Sequence, residues 1–504
     1  MRLSKKTELA IQWLKENSLE IDQQRRAIAT TTKLKYGYPE VTGYLIPTLI
    51  AWGERDLAAK YANWIISIQG KDGSFTDPTG KYKMVFDTGQ IVRGLIACKG
   101  NLKIEGIDLA INRAIDWMLS VTTTTQGIDA PDFNQWAGNV PPQVFLYAFA
   151  PIWNHLDQSA GDLRKNKIWE IIESIIELKI DGSIKSLNHF HCYFIAGLLE
   201  INHIDYATEL MNNMEKCSLK NGEYLGRQNG KWICSTGQFQ IADIWYRLGK
   251  LEKGNLALEI GAIQQNKSGG WFGSYSLNNF TSRFFKFSKS RYFPNSEISW
   301  SNKYFLDAVE AKLKLEFELM HSVFPDEISS KDGRLLILQK CLPSNSDSKI
   351  LDVGCGKGRY LKHLNDGHRK LVGMDISSSI LSLVPEDIET RLGSITKIEA
   401  KDGEFDFIYT IECLEHCVHL EGAVNELVRV TKDGGSFLII DKHKNRIRSK
   451  VWKIPDWEQW FRADTLAEMI IARGFIVQII KEIRHEDSQS NIFFALICTK
   501  VIKF

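Results

Sequence analysis

A run of alternate glycines, Gly354-Cys355-Gly356-Lys357-Gly358, follows the apolar stretch Ile350-Leu351-Asp352-Val353 and precedes a helical pattern. Glycines at such a turn let the backbone adopt positive φ and approach a ligand closely. The helix start beyond it offers free N–H groups to an anionic group. Asp375 ends the next apolar stretch, Val372-Gly373-Met374, 21 residues beyond Gly354. A carboxylate in that place suits the hydroxyls of a ribose. The chemistry these types and spacings fit is binding of a nucleoside-containing cofactor.

These residues need a scaffold that brings strand ends together. From near Pro325, short apolar runs alternate with helical patterns, which predicts a parallel sheet with crossover helices. Strands are expected at Lys349–Val353, Leu371–Met374, Phe405–Thr410 and Ser436–Ile440, with a final antiparallel hairpin from Phe475–Ile483 and Asn491–Val501. Helices are expected at Leu335–Leu342, Arg359–Asn365, Ile380–Leu383, Glu421–Thr431 and Thr465–Ala472.

The first three-fifths has different punctuation and repeats itself. Thr42-Gly43-Tyr44, Thr88-Gly89-Gln90, Gln143, His189, Thr236-Gly237-Gln238 and Ser299-Trp300 each open an apolar helix. Partner helices are read at Leu57–Gln69, Leu109–Val121, Ile168–Ile180, Tyr206–Leu219 and Asn255–Gln265, with Lys5–Asn17 as partner of the sixth. Gly-rich turns close the units at Gly73-Ser74-Phe75, Gly127-Ile128-Asp129, Asp181-Gly182-Ser183, Asn221 to Tyr224 and Gly269-Gly270-Trp271. One helical hairpin cannot bury both faces, so six of them imply an all-helical array, and pairing of first with last favours a ring. Each Thr is expected to N-cap an inner helix.

Gln69-x-x-x-Gly73-x-Phe75 and Gln265-x-x-x-Gly269-Gly270-Trp271 resemble the turn repeats of α/α-toroid proteins, a group including terpene cyclases, protein prenyltransferase β-subunits and six-hairpin sugar-processing enzymes. The Asp-x-Asp-Asp acid motif of protonating cyclases and the prenyltransferase zinc set are not found in the sequence. In such a ring the inner-helix starts gather at one mouth. There the polar groups would be Glu40, Asp87, Gln90, Gln143, His189, His191, Gln238, Gln240, Glu297 and Asn302. They read either as a carbohydrate-binding funnel, with Asp87 or Glu40 as acid or base, or as helix caps on a solvated rim. His189-Phe190-His191-Cys192 lacks a matching ligand set elsewhere, so no metal site is assigned.

The C-terminal motifs resemble class I S-adenosylmethionine (SAM)-dependent methyltransferases, in particular the "type 11" family. The resemblance is carried by Asp352-Val353-Gly354-Cys355-Gly356-Lys357-Gly358, Phe405-Asp406-Phe407-Ile408, Glu412-Cys413-Leu414-Glu415-His416, Leu427 to Gly435 and Ala472-Arg473-Gly474-Phe475, in order over about 170 residues. It implies that Gly354, Cys355, Gly356 and Gly358 line the methionine part of SAM, with Glu412 in the segment flanking it. Asp352 would hold the amino group, Asp375 the ribose hydroxyls and Ile376 the adenine face. Ser394-Ile395 stands where the family places an adenine-edge contact. It also points to His416 as a general base, since histidine ordinarily titrates near neutrality, or as a residue that only supports the helix. Cys413, His416, Cys417 and His419 mimic metal spacing but fall inside this segment, so again no metal is assigned. Asp441, Lys442 and His443 follow the fifth strand, where substrate loops lie in open α/β sheets. The basic run Lys442–Arg448 reads as a solvated loop or a phosphate grip.

Composition agrees with this reading. At 504 residues, two or three domains are expected, and 44% hydrophobic with 25% charged residues is globular. A net charge of +2 gives no reason to propose nucleic-acid binding. Nine scattered cysteines without a Cys-x-x-Cys pair, a charged start and the lack of a run of about 20 apolar residues predict a cytoplasmic protein without a membrane span. The expected organisation is an all-α toroid of helical hairpins over 1–315, a linker over 316–334, and a Rossmann-like α/β methyltransferase over 335–504. The expected activity is SAM-dependent methyl transfer to a small-molecule or glycan acceptor in polysaccharide biosynthesis, with the helical part binding or processing the carbohydrate. The alternatives make that part a lyase, hydrolase, epimerase or terpenoid-type cyclase, or a docking scaffold.

Overall fold

The computed structural model describes residues 2–124, 128–136, 140–157, 161–178, 186–216, 218–219, 222–228, 230–277, 291–444, 457–483 and 492–501. The chain divides into two compact units. One holds Leu9–Ile50 and Glu54–Lys312; the other holds Met1–Glu8, Ala51–Gly53 and Leu313–Phe504. The long helix that ends the repeats runs to Leu319, past the start of the expected linker.

The helices of the first part are α1 (Leu3–Glu16), α2 (Pro39–Ala51), α3 (Arg55–Ser67), α4 (Val85–Cys98), α5 (Ile107–Val121), α6 (Asp132–Trp136), α7 (Phe145–Asp157), α8 (Arg164–Glu177), α9 (Asn188–Glu200), α10 (Ile204–Glu215), α11 (Ser235–Arg247), α12 (Leu251–Ala262) and α13 (Ser299–Leu319). Two short hairpins join them: β1 (Ser18–Glu20) with β2 (Arg26–Ile28), and β3 (Trp232–Cys234) with β4 (Ser274–Ser276). α2, α4, α9 and α11 are buried along nearly their whole length. α5, α8 and α10 bury one stripe and expose the other face.

The buried helices touch in succession. A Cβ on Gly94 of α4 would stand 2.0 Å from the carbonyl oxygen of Gly43 in α2, so glycine is what lets these two helices approach. Gly89 of α4 meets Ala148 of α7 in the same way. Tyr147 stacks on Tyr193, linking α7 to α9, and His189 Nδ1 is 2.7 Å from Gln240 Oε1, linking α9 to α11. Thr236 and Ser301 hydroxyls are 3.0 Å apart between α11 and α13. Thr48 of α2 donates to Asp307 of α13 at 2.7 Å. Asn302 of α13 donates to the Ala10 carbonyl of α1.

The Gln/Gly turns have a common physical basis. Gln69 Nε2 donates to the carbonyls of Gly73 and Ala110, and Gln265 Nε2 donates to that of Gly269. Gly73 (φ 95°) and Gly269 (φ 96°) are left-handed, and a Cβ on either would collide with a carbonyl of Arg113 or Leu9. The threonines correct an expectation. Thr42 and Thr88 lie inside their helices, not at the N-cap. Each hydroxyl donates to the carbonyl four residues back, Tyr38 or Met84. Each also accepts an N–H from a preceding segment, that of Ile28 or Phe75. The start of α4 is served instead by Asp132, which accepts from Val85 and Phe86 N–H groups. Residues 181–183, Gly127 and Asn221 of the expected closing turns lie outside the described residues.

The second part holds α14 (Gly333–Cys341), β5 (Lys349–Val353), α15 (Arg359–Leu364), β6 (Lys370–Asp375), α16 (Ser378–Leu381), β7 (Glu389–Leu392), β8 (Phe405–Ile411), α17 (Leu420–Val430), β9 (Thr431–Lys442), α18 (Ala463–Ile471), β10 (Phe475–Ile483) and β11 (Phe493–Lys500). One seven-stranded sheet runs β10-β11-β9-β8-β5-β6-β7. β5 to β9 pair in parallel, while β11 is antiparallel to both neighbours. This is a Rossmann-like, mostly parallel sheet. Alternation along β5 sends Leu351 and Val353 to one core and Ile350 to the other. Burial on both faces is why these strands read as continuous apolar runs. β7, with its exposed and polar residues, gives no such signal.

Candidate functional site

The chain leaves β5 towards β6 on one side of the sheet and reaches β8 on the other. Open α/β sheets bind ligands at such a switch point, outside the carboxyl ends of the strands. The glycine loop stands there. Gly354, Gly356 and Gly358 have φ of 76°, 54° and 73°. Gly354 and Cys355 N–H groups donate to the Met374 carbonyl, which ties the loop to the end of β6.

The three glycines are needed for different reasons. A Cβ on Gly354 would lie 2.4 Å from Cys413 Sγ, and one on Gly358 would press on Val384 at 3.3 Å. Around Gly356 no atom of the described residues lies within 4 Å of that position. The loop is thus packed at one end and open at its middle, where a ligand can meet bare backbone.

Asp352 lies beneath the loop, 2% exposed, and its Oδ2 has no hydrogen-bond partner among the described residues. Burial pushes its carboxyl up to about 8, a pull that Tyr409 and Arg359 only partly oppose. An orphaned buried acid is costly unless a cation or donor completes it. Asp375 sits at the end of β6 and accepts from Gly356 N–H at 3.0 Å and Ser377 N–H at 3.1 Å. Each of its oxygens keeps a lone pair for a further donor. Ile376 beside it is half-buried. The strand pair β6–β7 brings Ser394 and Ile395 into this neighbourhood, because Gly393 N–H donates to the Asp375 carbonyl. Ser394's hydroxyl is engaged with Thr396 at 3.0 Å. An ammonium-bearing nucleoside fits this set of acceptors, with Asp352 for the ammonium and Asp375 for the ribose.

Glu412 has a left-handed backbone (φ 57°), and its carboxylate is held by Arg334 and, at 2.8 Å, by Arg359. It therefore anchors the segment after β8 and places Cys413 against Gly354. His416 corrects an expectation. Its ring packs on Phe317 and Trp457, and burial, with the Lys442 charge adding, pushes it down to about 3. It is a neutral imidazole at physiological pH, not a group titrating near neutrality. A carboxyl pair stands next to it instead. Glu415 and Asp441 are both 1% exposed, with Lys442 Nζ 2.7 Å from Glu415 Oε1. Burial pushes Glu415 up, and Asp441 up to about 7. The pair joins the segment after β8 to the end of β9, 26 residues on, so spacing alone could not reveal it. Residues 445–448 of the basic run lie outside the described residues.

Glu318, within the segment expected as linker, was not foreseen as part of this site. It accepts from Ser378 N–H (2.7 Å) and hydroxyl (2.7 Å), Ser379 N–H (3.1 Å) and Ser377 hydroxyl (2.9 Å). Burial opposes its charge, but the Ser379 and Ser378 bonds outweigh that and leave it at about 2. It thus clamps the turn that follows Asp375. Glu318→Ala is expected to weaken SAM binding about tenfold, since several bonds to a charged group are lost at about 1.5 kcal/mol or more each. Calorimetry checks this, and unchanged affinity would separate the clamp from the ligand.

The helical part holds a second cavity, of about 220 Å³, lined by Glu40, Asp87 and His189 among aromatic side chains. Gln90, His191 and Gln238 are not in its lining. Gln238 is spent on structure: it accepts from Tyr224 N–H and donates to the Gly222 and Ala257 carbonyls. His191 Nε2 is 3.0 Å from the Ser186 hydroxyl, and Gln90 is fully buried. Glu297 is taken by Trp13, Asn266 and Ser268, and Gln143 Nε2 by the Leu178 carbonyl.

Residues 351–439 match the family described as a methyltransferase domain. The chain is 29% identical over 120 residues to norajmaline N-methyltransferase of Rauvolfia serpentina, covering 20% of this chain and 39% of that protein. It is 22% identical over 253 residues to phosphoethanolamine N-methyltransferase 2 of Caenorhabditis elegans, covering 47% and 57%. A solved SAM-dependent methyltransferase of Methanosarcina mazei aligns at TM-score 0.30 and 17% identity, covering 35% of this chain and all of that one. The chain thus spans about two-fifths to three-fifths of the length of these curated relatives. Its C-terminal part carries a class I SAM-dependent methyltransferase domain. Among the described residues no helix is long and apolar enough to cross a membrane.

Proposed function

We propose that the chain is a cytoplasmic SAM-dependent methyltransferase that acts on a small-molecule or glycan acceptor in polysaccharide biosynthesis. The observation that carries the cofactor reading is the buried Asp352, whose Oδ2 has no partner among the described residues, beneath an open Gly356, with Asp375 at the neighbouring strand end. SAM supplies a methyl group activated on a sulfonium. The chain's own part is chiefly positioning. Gly354, Cys355, Gly356 and Gly358 present backbone, Asp352 holds the ammonium, Asp375 the ribose, and Ile376, Ser394 and Ile395 border the adenine. Glu412 acts through Arg334 and Arg359 by fixing the loop. Where an acceptor must lose a proton, the Glu415–Asp441 pair has a proton affinity nearer neutrality than His416 and is the better-suited base. The names of the matched proteins favour a small-molecule acceptor.

We read the helical part as an α/α-toroid that binds or processes the acceptor. What supports a ring is the succession α2–α4–α7–α9–α11–α13 returning to α2 through Thr48 and Asp307. Glu40, Asp87 and His189 belong to the cavity; Gln90, His191 and Gln238 serve the scaffold in this reading. The test is incubation with radiolabelled SAM and panels of sugar nucleotides, oligosaccharides, lipids and amines. Label on a carbohydrate supports the glycan reading, and label only on lipids or other small molecules overturns it. If Asp87→Asn abolishes turnover of a carbohydrate while methyl transfer continues, the helical part is an enzyme in its own right.

A further inference from the structure

The cavity in the helical part combines two features that call for the same kind of guest. Its walls are aromatic: Tyr38, Tyr44, Phe86, Tyr193, Tyr292 and Trp300 are among them. Its acids are Glu40 and Asp87, which start adjacent buried helices and are 7% and 5% exposed. Tyr38 is hydrogen-bonded to Glu40. Asp87 has no hydrogen-bond partner among the described residues, although it lines the cavity.

No lysine or arginine is among the described lining residues. Lys303 lies over the Tyr44 ring at 5.4 Å but is paired with Asp307. His189 does not supply a charge either, because burial pushes it down to about 4. Among the described residues the acids therefore have no counter-ion in the cavity lining. Burial pushes both upward, Glu40 to about 8, and the nearby Glu40 charge adds to Asp87. A neutral guest would leave that cost in place. A guest that brings a positive charge lets the carboxyls ionise, and the faces of the tyrosines and tryptophan attract it as well.

We propose that this cavity binds the ammonium group of a small organic amine, held by Asp87 and Glu40 inside an aromatic box. This rests on the reading of the helical part as the unit that binds or processes the acceptor. If the acceptor is a glycan held here, that glycan carries an amino sugar.

The test is calorimetric titration of the full chain with two pairs of probes. Choline is set against its neutral isostere 3,3-dimethylbutan-1-ol, and glucosamine against glucose. At least one cation is expected to bind at least tenfold more tightly than its neutral counterpart. Which of the two binds tells a quaternary from a primary ammonium. Asp87→Asn is expected to weaken the cation at least tenfold and leave SAM affinity unchanged. Glu40→Gln gives a second reading should the first variant fold poorly. Equal binding of the neutral isosteres, or no binding of any probe at about 10 mM, overturns the proposal. So does a choline signal that is lost in Asp352→Asn, since it would then belong to the cofactor cleft.

Discussion

Gly356→Arg should lose SAM binding by at least 100-fold in calorimetry and still fold. No atom of the described residues lies within 4 Å of a Cβ at this position, so the new side chain meets space that a ligand would use. The backbone cost is that of a non-glycine residue at φ 54°, about 1–2 kcal/mol. Gly354→Ala is the matched contrast. Its methyl would lie 2.4 Å from Cys413 Sγ, at φ 76°. It should destabilise the C-terminal part by about 3 kcal/mol, combining overpacking and strain. The small change at 354 thus damages the fold, and the large one at 356 damages binding. A Gly356→Arg chain that binds SAM normally would remove the loop from the site.

These contrasts show how far the sequence could be read. The glycine spacing placed the loop after β5 because only glycine meets both its φ angles and its close contacts. Asp375 was legible because a sheet strand must end there for its carboxylate to face the loop. The parallel strands were legible because burial on both faces leaves continuous apolar runs; β7, exposed and polar, left none. What spacing could not supply was environment. His416 reads as a base by type, yet Phe317, Trp457 and Lys442 surround it and keep it neutral. Glu415 and Asp441 are unremarkable in the sequence and acquire their raised proton affinity chiefly from burial, which no local pattern records. Gln238 reads as a mouth residue until three backbone groups are found to occupy it. Glu318 lay in a stretch without motif, because a carboxylate that clamps a distant turn leaves no local pattern. Even the threonines, true to their place at helix starts, serve by joining a helix to the segment before it and not by capping.

Asp352 should make SAM binding depend on pH, in a window well above that of an ordinary exposed carboxylate. In the free protein burial pushes it up to about 8. To hold an ammonium it must be ionised, so binding below pH 8 releases a proton. Affinity should rise by up to about tenfold per pH unit from pH 6 to pH 8, as linkage to one proton requires. Stability of the ligand-free fold runs the other way. The folded pKa lies above the unfolded value of about 4, so the native state holds the extra proton. Its stability therefore falls as pH rises from about 4 to about 8. Asp352→Asn removes both slopes. At pH 8 the variant should melt above the parent when no ligand is present, since an unpaired buried charge has been removed. It should bind SAM about 10- to 100-fold more weakly, the loss expected for one charged hydrogen bond of about 1.5–3 kcal/mol. Proton release is measured directly by calorimetry in buffers of different ionisation enthalpy. Release of no proton at pH 7, or a variant that melts below the parent while binding SAM normally, would show that this carboxyl is structural and that another group receives the ammonium.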